Sequence, residues 1–77
     1  MALFVETADT IASFLAKNMT AEEFEAWIVS ILDEDSLSDN ERDALWEIRL
    51  LLVEAGEGLR PAEEARSRAA ELLATAQ

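Results

Sequence analysis

Apolar positions recur every three to four residues along almost the whole chain. That spacing marks helices that bury one face. The first such run predicts a helix over residues 3–17. Phe4, Ala8, Ile11, Ala12 and Leu15 form its apolar side, Glu6, Asp9, Ser13 and Lys17 face the other way, and Asn18 marks the end. The second, 20–33, carries Phe24, Trp27, Ile28, Ile31 and Leu32 as one stripe, with Glu22, Glu25, Ala26 and Val29 opposite. It opens on Thr20-x-x-Glu23, a capping box in which each side chain satisfies the other residue's backbone N–H. Two acids in its first turn also suit the positive end of the helix dipole.

A second capping box, Ser38 with Glu41, starts a third helix over 39–55. Its main stripe is Ala44, Leu45, Ile48, Leu51, Leu52 and Ala55. A second stripe, Trp46, Leu50 and Val53, lies about 150° away at the 100° per residue of an α-helix. A helix apolar on two sides is either sandwiched or offers one side to a partner. Trp46 therefore has two readings, packing against the first or fourth helix or forming an interface. Trp27, within the stripe of the second helix, reads as core. Gly56 is placed as a left-handed cap. Pro61 favours the first turn of a last helix over 61–75, whose face is Ala62, Ala65, Ala69, Leu72 and Leu73. Those small side chains predict the most weakly docked of the four. Short links favour antiparallel neighbours, so the expected fold is all-α: one small four-helix up-and-down domain spanning residues 1–77.

Composition agrees with a folded chain. Half the residues are apolar (51%), too many for an acidic disordered tail. Cys and His are both absent, which excludes disulfides and a structural zinc site. A domain this small has a core worth only about 3–5 kcal/mol, so helix packing, a partner or self-association must hold it. The start of the chain lacks a basic n-region, and Glu6 and Asp9 break its apolar run short of a membrane span. The expected compartment is the cytoplasm.

Charge is where the chain departs from an ordinary helical domain. The net charge is -11, and -8 of it lies between Lys17 and Arg42, where Glu22, Glu23, Glu25, Asp33, Glu34, Asp35, Asp39 and Glu41 stand without a single base. Such crowding is self-repulsive and opposes folding. It also disfavours direct binding to nucleic acid or anionic lipid, which require Lys and Arg. Either the stretch is a solvated exterior or it faces a basic, phosphate-seeking partner.

Catalysis has little to work with: no His, Cys or Tyr, and one Lys. Acid–base work would fall to carboxylates alone, without room for a substrate cleft of the usual kind. The chain is therefore read as a non-enzyme without cofactor or metal. Asp33-x-Asp35 has the spacing of a calcium loop, but Leu37, Ser38 and Ala44 occupy the third-ligand, glycine and closing-Glu positions. Glu22-x-x-Glu25 and Glu54-x-x-Glu57 resemble the magnesium-binding pairs of the all-helical nucleotide pyrophosphohydrolases, although the second pair has Glu where that family has Asp. A carboxylate–metal hydrolase is thus a third reading.

Residues 10–25, with Phe14-Leu15, Thr20, Glu23 and Phe24, resemble the opening of the colicin-D-type immunity proteins. In that family an apolar helix ends in Phe-Leu and a Ser/Thr-x-x-Glu-Phe helix start follows. The run Leu45 to Glu54, then Gly58-Leu59-Arg60 and an Ala/Glu-rich last helix, resembles small bacterial proteins of the same outline. The chain is shorter than the typical member and lacks its acidic segment before the last helix. The resemblance implies a protein that blocks the basic active site of a tRNA-cleaving toxin with carboxylates. It carries over no contact residue, since the matching positions are structural.

Two functions follow as expectations. The leading one is an immunity- or antitoxin-like binding module that neutralises a basic nuclease or toxin by imitating nucleic-acid phosphates. Glu22, Glu25, Val29, Asp33, Glu34, Asp35 and Asp39 would form its contact surface. The alternative is a non-catalytic homodimer joined through Trp46, Leu50 and Val53.

Overall fold

A computed structural model describes residues 5–34 and 37–75. It contains α1 (Val5–Leu15), α2 (Ala21–Ile31), α3 (Asp39–Gly56) and α4 (Ala62–Thr75). Each helix packs on its neighbours in the ring α1–α2–α3–α4–α1, while α1 and α3, and α2 and α4, lie diagonally. Trp27 late in α2 bonds Glu6 early in α1, and the end of α3 lies beside the start of α2. Arg68 of α4 bonds Glu47 of α3, and Arg66 early in α4 reaches the end of α1, so neighbouring helices run antiparallel. The all-α four-helix fold is thus as the periodicity predicts.

The caps explain where each helix starts and stops. At α2, Glu23 N–H donates to Thr20 Oγ1 (3.1 Å) and Thr20 N–H donates to Glu23 Oε1 (2.8 Å), which completes the predicted box. At α3, Ser38 Oγ accepts from Glu41 N–H at 3.2 Å. The Glu41 side chain is buried, however, and its Oε2 accepts the Thr7 hydroxyl across the core at 2.7 Å. The helix ends differ from expectation. α1 closes at Leu15, because Lys17 adopts φ 65 and lets Asn18 N–H reach Ser13 O and Lys17 N–H reach Phe14 O. That pair of bonds is a Schellman cap with lysine where glycine is usual. At the end of α3 the left-handed residue is Gly58 (φ 80), not Gly56, which is the helix's last residue.

The core contains Ile11, Phe14, Phe24, Ile28, Leu45, Ile48, Leu52, Ala65, Ala69 and Leu72, with Leu37 from the α2–α3 loop. Two sequence expectations are corrected. The buried face of α1 is Thr7, Ile11 and Phe14, while Ala12 is exposed and Phe4 lies outside the described residues. The expected stripe was rotated by roughly 80°, at 100° per residue. Phe14 is buried near the end of α1, stacked on Phe24 at 4.3 Å between ring centres. α4 is not weakly docked: its fully buried Ala65 and Ala69 let its backbone lie close, and it packs on both α3 and α1. Small side chains reduce buried area per residue but permit close approach, and the latter dominates here.

Candidate functional site

α2 turns Phe24, Ile28 and Ile31 inward, which forces Glu22, Val29 and the intervening turn outward. Glu22, Glu25 and Val29 fall within about 60° of one another on that helix. Glu22 is exposed, Val29 is 45% exposed, and Glu25 is half-buried at the helix edge. After Leu32 the chain turns, with Glu34 N–H bonded to Ile31 O at 2.9 Å, and Asp33 and Glu34 are both exposed. Asp39, exposed in the first turn of α3, is at the same end of the bundle. Asp35 lies outside the described residues. The candidate acids thus form two groups, Glu22 with Glu25 near the start of α2 and Asp33, Glu34 and Asp39 beyond its end, with Val29 between.

Their lack of counter-ions is structural as well as compositional. Among the described residues the ion pairs join Arg60 to Glu54 and Glu64, and Arg68 to Glu47 and Glu71, all on α3, α4 and the link between them. The hydrogen bonds to Glu64 and Glu54 raise the Arg60 pKa further above its ordinary value. Arg42 is the base nearest the acidic loop in sequence, yet it donates to the backbone carbonyls of Leu32 and Glu34 (2.9 Å to the latter). It braces the loop and makes no ion pair with a carboxylate among the described residues. No ion pair reaches Glu22, Glu25, Asp33, Glu34 or Asp39 among the described residues.

The proposed dimer seam is only partly continuous. Trp46 and Leu50 are each 57% exposed on the outer side of α3, which overturns core packing for Trp46. The Arg49 guanidinium lies 5.1 Å from the Trp46 ring centre. Val53, by contrast, is half-buried and lines a cleft elsewhere. Trp27, read as core, is half-buried and packs against the core, 6.2 Å from Phe24 and nearly parallel to it, with its indole N–H donating to Glu6 Oε2 at 3.2 Å.

Sequence reasoning missed that cleft. It has a volume of about 740 Å³ and lies at the end of the bundle where α1 and α3 finish and α2 and α4 begin. Ala21, Ala55, Gly56 and Ala62 face it and are too small to close it. Its legible signal was the cluster of small residues at three helix ends, which becomes a cluster only once the helices are antiparallel. For metal chemistry, no group of three or more His, Cys, Asp or Glu is gathered among the described residues. No helix among them is long and apolar enough to cross a membrane.

Comparison with known proteins returns no family model, no curated protein and no solved structure that matches this chain.

Proposed function

We propose that this protein is an acidic helical binding module for a basic protein, of the kind an immunity protein or antitoxin presents to a nuclease or toxin. The observation that carries this reading is the segregation of charge pairing. Arg60 and Arg68 pair with acids of α3 and α4, while the described acids of α2 and its following loop keep no ionic partner. Carboxylates held apart in this way can stand in for phosphates, raise association rates and cover a substrate groove. Glu22, Glu25, Asp33, Glu34, Asp35 and Asp39 supply the charge, Val29 an apolar contact. The reading includes no catalysis, no cofactor and a cytoplasmic setting.

Affinity capture from native lysate at low and at high salt supplies the partner, and association kinetics then test the surface. Reversing Asp33, Glu34 and Asp35 to Lys is expected to slow association about tenfold, on the scale of electrostatic steering, and to flatten its salt dependence. Reversing Glu63, Glu64 and Glu71 is the control, because Glu64 and Glu71 are already paired with arginine. Equal losses from both variants would reduce the effect to net charge.

The exposure of Trp46 and Leu50, one turn apart on α3, favours self-association as a second reading. Sedimentation equilibrium of the wild type and Trp46→Glu separates the two, since only self-association requires a concentration-dependent mass that the variant abolishes.

A further inference from the structure

We infer that the cleft at the α1–α2 end of the bundle is the seat for a cationic amphipathic helix of the partner. This rests on the acidic binding reading and specifies where the apolar part of the contact goes. The floor is apolar: Phe14 and Leu52 are buried there, and Met19 and Val53 are half-buried. At about 740 Å³ it has the size of a ligand cleft, within the usual range of roughly 300–1,000 Å³.

Its border is acidic. Glu22, Glu25 and Glu57 line it without an ion pair among the described residues, and Glu23 lines it as the capping-box acid. Two bases are present, Lys17 and Arg66. Arg66 is already engaged: its guanidinium sits 4.9 Å from the Phe14 ring centre and donates to Phe14 O and Leu15 O at 3.3 and 3.4 Å. Carboxylates around an apolar floor match an occupant that places apolar side chains inward and Lys or Arg at its edges. That is the pattern of a basic amphipathic helix laid in a groove. A purely cationic segment would satisfy the border and leave the floor wet. A neutral apolar segment would gain the floor and leave the border acids facing nothing.

Gly56 provides a test that preserves the fold. It lines the cleft, its backbone is helical, and a Cβ there would meet no atom within 4 Å. Gly56→Leu therefore adds an apolar side chain at the cleft wall, with free space at its Cβ, and removes a helix-weakening residue. The probes are a synthetic Leu/Lys peptide with leucines at helical spacing and a lysine-only peptide of equal charge. Binding is followed by calorimetry, with thermal unfolding confirming that each variant is folded.

The expected result is that the Leu/Lys peptide binds at least about tenfold more tightly than the lysine-only peptide. Gly56→Leu is expected to erase that difference. Leu/Lys binding unchanged by Gly56→Leu, equal binding of both peptides, or binding of neither would each overturn the cleft as the seat. The charge reversal at Asp33, Glu34 and Asp35, at the far end of α2, distinguishes failure of the broader reading. If it slows capture of the natural partner while Gly56→Leu has no effect on either probe, the acidic surface stands and the cleft falls. If Gly56→Leu abolishes the peptide preference while the reversal leaves association unchanged, the cleft stands and the extended acidic surface falls.

Discussion

Thr7 and Glu41 place a hydroxyl and a carboxylate among the buried residues of the core, and they meet at 2.7 Å. A buried polar group costs most when one partner is removed, because the other keeps its desolvation penalty. Thr7→Val, which keeps the shape and deletes the donor, is expected to cost about 1–3 kcal/mol in urea denaturation. Combining it with Glu41→Met should cost less than the two single changes added together, since the double variant leaves no carboxylate behind. An additive result would show the contact to be energetically idle. Ile28 offers the apolar comparison: fully buried, it is expected to lose about 2–5 kcal/mol on change to Ala, with half-buried Leu51 losing less.

At the scale of elements, α4 shows how small side chains can fix a helix. Ala65 and Ala69 are fully buried, so larger residues have nowhere to go without pushing α4 off its neighbours. Ala69→Leu is expected to destabilise by about 1–3 kcal/mol through overpacking, measured by the denaturation midpoint. A neutral or stabilising change would mean that α4 is loosely seated after all. The end of α3 gives a backbone counterpart. Gly58 has φ 80, where a Cβ costs roughly 1–2 kcal/mol, and Gly58→Ala is expected to show a loss of that order.

The helices were legible because capping chemistry and apolar spacing are local: Thr20 with Glu23, and Phe24 through Ile31, suffice to place α2. The rotation of α1 was not, because a buried Thr carries no apolar signal and its reason for burial, Glu41, is 34 residues away. Trp46 stayed open between its two readings for the related reason that sequence shows two apolar sides of α3 without showing that the Trp46 side is exposed. The acids of α2 were legible as outward-facing. Their lack of counter-ions was legible only as an absence of bases nearby, and where the arginines of α3 and α4 point required the fold.

For the whole molecule, net charge adds a term of self-repulsion. The charge of -11 on 77 residues opposes compaction, and no ion pair relieves the described acids of α2 or its following loop. Added sodium chloride screens such repulsion, with a Debye length near 10 Å at 0.1 M and about 3 Å at 1 M. The denaturation midpoint is therefore expected to rise with salt, and a flat or falling response would show that the ion pairs on α3 and α4 matter more.

Because α2 and α4 occupy opposite corners of the ring, the imbalance has a direction. Backbone dipoles of antiparallel neighbours cancel pairwise, so the permanent moment of this molecule comes from its side chains. It runs from the α4 corner, where Arg66 and Arg68 with Arg60 of the preceding link balance Glu63, Glu64 and Glu71, toward the bare carboxylates of α2. A body with such a moment feels a torque in the field of a charged neighbour, not only a pull. A basic surface approaching from any side would turn the α2 corner toward itself before the two proteins touch.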